Sequence, residues 1–337
     1  MSHDETKDAS MAVSEEEIRP RKINDVFLRL ARDDAHTFFA EARRDTVACP
    51  ACDGAGEHAF NKFGFDYQTC PACQTLFVNP RPAAEAFARY YVESPSSKYW
   101  ASTLYKETAA ARREKLWKPK ARMVRTVLEQ YGARAHKMID VGGGYGLFAE
   151  EMEALTGQPV CVIEPAPHLA SASREKGLEV IEKFLEDVQV PDLPHGAKAF
   201  VSFEMFEHLH TPAAFLAHMK QLMEPGDLFL FTTLSGMGVD IQVLWNESNS
   251  VFPPHHLNFL NPRSVRVLLE RVGLETIEVT TPGKLDVDIL VNHAALIKDR
   301  FWRTFVASAT AQEKAQWQNL IAESGWSSHM MVVCRKA

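Results

Sequence analysis

The sequence has no long hydrophobic run and no basic leader. None of its apolar stretches approaches the roughly 18 residues that a membrane-spanning helix requires. Residues 1–20 also lack a basic segment followed by an apolar one, which is the pattern of a secretory signal. Their acidic and polar composition instead predicts a disordered tail over residues 1–22. We therefore expect a cytoplasmic protein that does not associate with membranes.

An excess of positive charge is also lacking. The chain has 37 Lys and Arg against 44 Asp and Glu, a formal net charge of −7, which argues against broad binding to nucleic acid phosphates. Its 337 residues suffice for about two domains. Cysteine is scarce, and six cysteines in a chain of this kind indicate metal binding or free thiols more than disulfides. Cys161 and Cys334 lie in apolar strands, where we expect buried thiols.

The other four cysteines form two C-x-x-C knuckles. Cys49 and Cys52 make the first, Cys70 and Cys73 make the second, and 17 residues separate the pairs. This spacing is typical of a four-thiolate zinc site, in which two facing knuckles close a tetrahedron that leaves no position for water. We therefore predict a zinc ribbon over residues 46–82 with a structural Zn²⁺. An iron–sulfur centre and two redox dithiols are the alternatives.

The stretch between the knuckles, residues 53–69, is interpreted as a loop that does not suit nucleic acid. It has three acidic residues against the single cation Lys62, the opposite of the balance that phosphate binding prefers. Its aromatic residues can stack on bases in principle, but packing of the turn region is the favoured interpretation. These aromatics are Phe60, Phe63, Phe65 and Tyr67.

A glycine-rich turn follows the apolar run at residues 138–141. Gly142, Gly144 and Gly146 allow left-handed backbone and close approach of a ligand at the end of a strand. The G-x-G-x-G spacing is shorter than the G-x-G-x-x-G of dinucleotide-binding turns, and Asp140 precedes it. Glu164 closes the next apolar run, where an acid can bind ribose hydroxyls. A tight turn that binds no ligand is the alternative at this point.

Strands and helices alternate around this turn. Apolar runs predict strands near 137–141, 160–164, 179–181, 199–204 and 227–233, with helices between them, so the fold class is α/β with a doubly wound parallel sheet. Two further β-rich runs, at 275–281 and 329–334, enclose a predicted helical insertion over 282–328 whose aromatics are expected to pack. Upstream, we predict a helix over 23–45 and a helical lid or linker over 83–134. In that linker, residues 94–97 separate helices at 83–91 and 104–131.

A second motif follows the fourth strand. Residues 203–212 contain Glu207-His208-Leu209, and together with the glycine turn this segment resembles the class I S-adenosylmethionine-dependent methyltransferases. The resemblance implies a seven-stranded, mostly parallel, Rossmann-like sheet with one inserted antiparallel strand, and a methyltransferase domain over residues 135–337. It also implies that S-adenosylmethionine is the cofactor and that Glu204 closes its site. The remaining cofactor residues that it implies are Asp140, Gly142, Gly144, Gly146, Glu164, Phe184, Leu185 and Tyr99.

The acceptor side is predicted from residues 234–262, here called the substrate segment. It contains Pro253-Pro254-His255-His256, which resembles segments of sugar methyltransferases that also have N-terminal zinc modules. His255 or His256 is the predicted base, and the alternative is a proline-braced loop whose imidazoles satisfy backbone groups. Glu207 and His208 either take part in catalysis or order a helix start as a hydrogen-bonded pair.

Two further patterns bear on the acceptor. The Asn/Asp-Pro-Pro-aromatic motif of enzymes that methylate exocyclic base or amide nitrogens is absent after the fourth strand. Residues 90–100 are similar to the Tyr/Ser-rich lid of zinc-containing sugar C-methyltransferases but depart from it at Pro95 and Trp100. The resulting hypothesis is methyl transfer to a small molecule, such as a nucleotide-linked sugar or polysaccharide precursor. Alternatives are a zinc-ribbon RNA methyltransferase, an NAD-dependent oxidoreductase and a zinc-organised binding protein.

Overall fold

The computed structural model describes residues 14–133 and 136–337. Its N-terminal part, up to Gln130, contains a small β-module between helices. The strands are β1 (Arg44–Asp45), β2 (Glu57–Lys62), β3 (Phe65–Thr69), β4 (Leu76–Val78) and β5 (Arg81–Pro82). The helices are α1 (Glu15–Ile18), α2 (Arg21–Phe39), α3 (Ala84–Glu93), α4 (Pro95–Tyr99), α5 (Tyr105–Arg112) and α6 (Lys118–Gln130).

A disordered tail was predicted over residues 1–22, but residues 14–22 are ordered in the structure. Residues 1–13 lie outside the described part of the chain. Residues 15–18 form α1, which starts at a capping box between Ser14 and Glu17. The Glu15 amide donates to Asp288 over 2.8 Å, and the Ile18 carbonyl accepts from Arg112 over 3.1 Å. These contacts order a segment whose composition alone predicted disorder.

The predicted break at residues 94–97 is limited to Ser94, where α3 ends, because α4 begins at Pro95. Pro95 occupies the first turn of α4, and the Ser94 hydroxyl accepts from the Ser97 amide over 3.2 Å. Turns of π-helix at Trp100–Leu104 and Arg113–Trp117 join α4, α5 and α6 into a nearly continuous helical lid. Ser94 therefore ends α3 and, with Pro95, starts α4 at once.

The remaining chain forms a seven-stranded sheet. Its strands are β6 (Lys137–Val141), β7 (Val160–Ile163), β8 (Glu179–Ile181), β9 (Lys198–Phe203), β10 (Leu228–Leu234), β12 (Glu275–Thr280) and β13 (His329–Arg335). The order is β12-β13-β10-β9-β6-β7-β8, and β13 runs antiparallel between β12 and β10. The predicted α/β fold with one inserted antiparallel strand is thereby confirmed. The chain reverses its direction of winding at β6, and the carboxyl ends of β6 and β9 form the switch point where such sheets bind ligands.

Helices cover both faces of this sheet. Strands β7, β9 and β10 are buried along their whole length, which explains their continuous apolar runs. One face packs on α6 and α7. The other packs on α9, α11 and residues 46–82, here called the cysteine module. The later helices are α7 (Leu147–Thr156), α8 (Pro167–Arg174), α9 (Pro212–Leu222), α10 (Val239–Leu244), α11 (Ser264–Val272), α12 (Asp286–Asn292), α13 (Arg300–Ser308) and α14 (Ala311–Glu323).

The cysteine module shares a sheet with the substrate segment. Strand β11 (Asn258–Phe259) pairs antiparallel with β4, so the second sheet has the order β11-β4-β3-β2. Residues 53–69, predicted as a loop, contain the β2-β3 hairpin because Phe65 and Tyr67 alternate into the core beneath α2. The module is therefore built partly from residues about 180 positions downstream. Among the described helices none is both long and apolar enough to cross a bilayer.

Candidate active site and cysteine cluster

The glycine turn joins the carboxyl end of β6 to the start of α7. Gly142, Gly144 and Gly146 have φ angles of 72°, 56° and 69°, a left-handed conformation that other residues adopt at a cost. A Cβ added at Gly142 would lie 2.8 Å from the Met205 sulfur, whereas one added at Gly144 would meet no atom within 4 Å. The turn thus leaves open space beside Gly144, on backbone that only glycine adopts readily.

Asp140 lies directly below this turn. Its side chain is buried, and its Oδ2 accepts no hydrogen bond from the described residues. Burial, reinforced by the nearby carboxylate of Glu164, raises the pKa of Asp140 to about 7. A buried acceptor without a donor is costly, and a ligand with an N–H group or a positive charge would satisfy it.

Glu164 ties the second strand to the turn. Its two carboxylate oxygens accept from the amides of Gly144 and Ala166, each over 2.9 Å. Burial raises the pKa of this carboxyl, and the two amide donors oppose that rise. Each carboxylate oxygen retains a further lone pair. Glu164 can therefore hold the turn and accept from ligand hydroxyls at the same time.

The residues predicted beside the adenine differ in their exposure. Phe184 precedes the 3-10 turn Leu185–Asp187 and is 63% exposed, whereas Leu185 is buried in the core against the sheet. Of the two, only the Phe184 ring has a free face. Tyr99 ends α4, and two residues later the Ala101 carbonyl accepts from the Tyr145 hydroxyl of the glycine turn over 3.0 Å.

Glu204 is the centre of a charged cluster at the end of β9. Its Oε1 accepts from Lys120 Nζ over 2.9 Å, from the Thr232 hydroxyl over 2.8 Å and from His329 Nε2 over 2.9 Å. Burial alone would raise the pKa of Glu204, but Lys120 and His329 hold it well below its usual range. Sequence reasoning missed Lys120 and His329, because no local motif marks residues that reach Glu204 from α6 and β13.

The predicted catalytic residues converge beside this cluster. Donor atoms of Glu207, His208 and His256 lie within 4.8 Å of one another, and the His208 and His256 ring centroids are 4.9 Å apart. The ring of His255 is 5.9 Å from that of His208. These groups come from the turn after β9 and from the substrate segment. Two imidazoles and a carboxylate at this spacing can relay a proton or hold a divalent cation.

Hydrogen bonds fix the orientation of two members of this cluster. Nδ1 of His256 lies 2.7 Å from the Ser250 carbonyl, which can only accept, so Nδ1 carries the proton and Nε2 retains its lone pair. Oε2 of Glu207 accepts from the Thr233 hydroxyl over 2.8 Å. Nδ1 of His256 therefore satisfies a backbone group, as the alternative interpretation of the segment required. Nε2 of the same ring has no hydrogen-bond partner among the described residues.

Burial sets the protonation states of the cluster. It lowers the pKa of His208 to about 4, and that of His255 to about 3 with a further contribution from His208. It also lowers the pKa of His256 well below its usual range. Burial and the negative charge of Glu204 raise the pKa of Glu207 to about 8. All three imidazoles are therefore neutral near pH 7, the form in which histidine accepts a proton.

Tyr90 belongs to the same site. Its hydroxyl lies 2.6 Å from Nε2 of His255 and 2.9 Å from the Ser96 hydroxyl. The Ser96 amide in turn donates to Asp34 of α2 over 2.8 Å. Burial raises the pKa of Tyr90, so its hydroxyl keeps its proton. The sequence marked the segment around Tyr90 as a lid, but the contact with His255 spans 165 positions and has no local signal.

The four knuckle cysteines converge into one cluster. Sγ of Cys49 lies 3.5 Å from that of Cys73, Sγ of Cys52 lies 3.5 Å from that of Cys70, and all four lie within 4.8 Å of one another. A tetrahedral site with Zn–S bonds near 2.3 Å requires S···S distances of about 3.8 Å. The donor set and its geometry therefore fit a zinc ion with four thiolate ligands.

The two knuckles have the same backbone geometry. Asp53 and Gln74, which follow the two C-x-x-C turns, have φ angles of 59° and 60°, and their amides donate to the Cys49 and Cys70 carbonyls. Asn261 of the substrate segment donates to the Cys73 carbonyl over 2.9 Å. The predicted buried thiols Cys161 and Cys334 are buried, in β7 and β13. The cluster is thus anchored to the same segment that carries the histidines.

In a comparison with known protein families, slightly more than half of the chain matches one family. Residues 105–279 match the family model described as methyltransferase domain. A ubiquinone biosynthesis O-methyltransferase of Dinoroseobacter shibae is 25% identical over 154 residues, which are 42% of this chain and 61% of that protein. One of Xylella fastidiosa strain 9a5c is 31% identical over 105 residues, which are 29% of this chain and 42% of that protein. The chain thus matches less than two thirds of the length of either relative.

Solved structures with a similar fold include two methyltransferases with bound S-adenosylhomocysteine (SAH). Magnesium protoporphyrin IX methyltransferase from Synechocystis PCC 6803 is 11% identical, with a TM-score of 0.45, and the match covers 75% of this chain and 100% of that one. The plantazolicin methyltransferase BpumL is 9% identical, with a TM-score of 0.48 and coverages of 74% and 93%.

Proposed function

Because the chain belongs to the methyltransferase domain family, we propose that it transfers the methyl group of S-adenosylmethionine to a small-molecule acceptor. One juxtaposition carries the proposal. The glycine turn ends β6, and the cluster of Glu207, His208 and His256 follows the neighbouring strand β9. A cofactor held at the first and an acceptor held at the second would meet at the switch point of the sheet.

The residues around the glycine turn fit the parts of this cofactor. The orphaned Oδ2 of Asp140 suits the ammonium group of the methionine end, and the open space beside Gly144 admits that end against the turn. Glu164 binds the ribose hydroxyls through its remaining lone pairs, and Glu204 closes the site. The exposed ring of Phe184 covers the adenine, with Leu185 supporting it from the core, while Tyr99 belongs to the lid above.

The chemistry asks the chain to position an acceptor and to take its proton. When bound, S-adenosylmethionine supplies a methyl group on a sulfonium, so that departure of the leaving group needs no acid. A hydroxyl acceptor must lose its proton as the new bond forms. Neutral His256 presents a free Nε2 for this step, and ligand atoms of Glu207 and His208 lie within 4.8 Å of a ring nitrogen of His256. The relatives named as O-methyltransferases favour an oxygen acceptor.

Within the small-molecule class, a nucleotide-linked sugar or polysaccharide precursor is the proposed acceptor. Its support is the combination of a proline-braced histidine segment with a cysteine module that shares a sheet with it. Zn²⁺ bound by Cys49, Cys52, Cys70 and Cys73 would hold that module together, because a segment of about 35 residues builds little core of its own. The four thiolates leave no position for substrate, so the metal is structural.

Calorimetry with SAH and with NAD tests the cofactor. We expect SAH to bind and NAD not to bind. Glu164→Ala should weaken SAH binding by roughly ten-fold or more because it removes a charged hydrogen-bond partner. Glu182→Ala, which removes an exposed carboxylate that directly follows the neighbouring strand β8 and pairs with Arg174, is the matched control. Binding of NAD in preference to SAH would overturn the proposal in favour of an oxidoreductase.

Labelled methyl transfer tests the acceptor class. The protein is incubated with methyl-labelled S-adenosylmethionine and, in separate reactions, with the small-metabolite and RNA fractions of a cell extract. We expect the label in the small-metabolite fraction. If the acceptor is nucleotide-linked, phosphatase or pyrophosphatase should convert the labelled product into a less charged compound. Label in the RNA fraction alone would establish the zinc-ribbon RNA methyltransferase instead.

A further inference from the structure

A cleft of about 280 Å³ opens where α2, the β2-β3 hairpin and the substrate segment meet. Asp25, Arg29 and Arg32 line it from one face of α2, since they follow i, i+4, i+7 spacing. Lys62 and Phe63 line it from the turn of the hairpin, and Phe252 lines it from the substrate segment. The cysteine module therefore contributes directly to a cavity beside the histidines.

The cleft is positively charged although the chain as a whole is not. Three cationic side chains and the single carboxylate of Asp25 line it, in a chain whose formal net charge is −7. Among the described residues, neither Arg29 nor Arg32 forms an ion pair. Both arginines are exposed at the mouth of the cleft. Two arginines that lack ion-pair partners and converge on one cavity with Lys62 favour an anionic ligand.

An aromatic ring fixes two of the cations in place. The Arg32 guanidinium lies 5.2 Å and the Lys62 ammonium 5.6 Å from the centroid of the Phe63 ring. Lys62 Nζ also donates to the Ser248 carbonyl over 2.7 Å, which joins the hairpin to the substrate segment. Burial lowers the pKa of Lys62 to about 8 although the carboxylate of Glu247 opposes that shift, and a bound anion would offset more of the cost of burial.

Phe252 connects the cleft to the candidate base. Its ring stacks on that of His255, with centroids 5.6 Å apart and an interplanar angle of 13°. Phe27 of α2 packs against both rings, at 5.4 Å from Phe252 and 5.9 Å from His255. The anion-favouring cavity thus lies one aromatic ring away from the histidine cluster.

We propose that this cleft binds the phosphate or diphosphate group of the methyl acceptor and so selects the acceptor by its charged end. The identity of the ligand as the acceptor rests on the proposed function, whereas binding of the anion does not. Guanidinium groups recognise phosphate oxygens with paired donors, and Lys62 adds a point charge. The cysteine module acquires a role in specificity, because its hairpin presents Lys62 and Phe63.

The test uses the full zinc-containing chain, saturated with SAH, titrated with uridine diphosphate and with inorganic pyrophosphate. We expect both probes to bind, and the Arg29→Gln/Arg32→Gln double variant to lose roughly ten-fold or more in affinity. Lys62→Gln removes the charge but keeps a donor for the Ser248 carbonyl, and it should lose affinity as well. Arg266→Gln, which removes an exposed arginine on α11, is the matched control.

The outcomes separate this proposal from the proposed function. Absence of saturable binding, or equal affinity in the double variant and the control, would overturn the cleft as a phosphate site even if methyl transfer to a small molecule is found. Binding of uridine diphosphate that depends on Arg29 and Arg32, together with failure to bind SAH, would count against the proposed function and leave the cleft in place. Tighter binding of a single-stranded RNA oligonucleotide than of uridine diphosphate would overturn the small-molecule ligand.

Discussion

The Tyr90 hydroxyl lies 2.6 Å from Nε2 of His255, and this hydrogen bond joins the helical lid to the substrate segment. The lid and the segment are distant in the chain, yet both rings pack in one aromatic group with Phe252. Because Tyr90 occupies Nε2 of His255, the free Nε2 of His256 is the better candidate to receive a proton from an acceptor. We therefore expect His255 to hold the lid over the site.

Tyr90→Phe should therefore impair methyl transfer without preventing cofactor binding. Loss of the hydrogen bonds to His255 and Ser96 loosens the lid, and we expect the rate of transfer to fall by roughly ten-fold while SAH affinity is kept. Steady-state kinetics and calorimetry measure the two effects. Tyr131→Phe, which removes a hydroxyl bound to Glu278 far from the site, is the control and should leave both values unchanged. Equal rates for Tyr90→Phe and wild type would exclude a role for this contact.

His256→Asn should cost much more than His255→Asn if His256 is the base. Removal of a general base costs roughly 10²- to 10⁴-fold in rate, whereas loss of a positioning contact costs less. Asparagine keeps a donor near the Ser250 carbonyl, which limits disturbance of the segment. Single-turnover measurements with saturating S-adenosylmethionine distinguish the chemical step from binding. A larger loss in His255→Asn would assign the base to His255 acting through Tyr90.

The pattern of local sequence predicted those parts of the site that are themselves local. The glycine turn, Asp140 and Glu164 lie in one βαβ unit, and the spacing of the cysteines within each knuckle fixes two ligands at a time. Strands β7, β9 and β10 were predictable for a related reason, since burial on both faces leaves continuous apolar runs. Each of these features can be predicted from residues that are near one another in the chain, or from a regular pattern of apolar residues.

The contacts that assemble the site were not predictable in the same way. Lys120 reaches Glu204 across 84 positions, and β11 completes the sheet of the cysteine module from the substrate segment. Such pairs leave no periodic signal, because a single lysine on an amphipathic helix looks like a solvated surface residue. The same reason explains the error at residues 14–22, whose order depends on Asp288 and Arg112.

The buried histidines should make the fold sensitive to acid. Burial lowers the pKa of His255 to about 3 from a value near 6.5 in the unfolded chain, so the unfolded state binds more protons between these pH values. The free energy of unfolding should then fall as the pH drops below about 6.5, with a contribution of about 1–2 kcal/mol from His255 at pH 5.

Urea unfolding at pH 7, 6 and 5 measures this contribution. His255→Gln removes the titrating group, so its stability should decline less steeply with falling pH than that of wild type. His58→Gln replaces an exposed histidine of β2 and should keep the wild-type slope. If all three proteins lose stability in parallel, His255 is not held neutral by burial.

Removal of zinc should separate the cofactor site from the acceptor site. Zinc on Cys49, Cys52, Cys70 and Cys73 would hold the module that pairs with β11, while the glycine turn is built on the seven-stranded sheet. Cys70→Ser should therefore reduce bound zinc from one ion per chain to a small fraction, and methyl transfer should fall by roughly ten-fold or more, with SAH binding nearly unchanged. Metal analysis, kinetics and calorimetry give the three values.

Cys161→Ala, at a buried thiol of β7, is the control and should keep its zinc. Loss of SAH affinity in parallel with zinc would mean that the module supports the whole fold, because a purely local role in the acceptor site leaves the glycine turn intact.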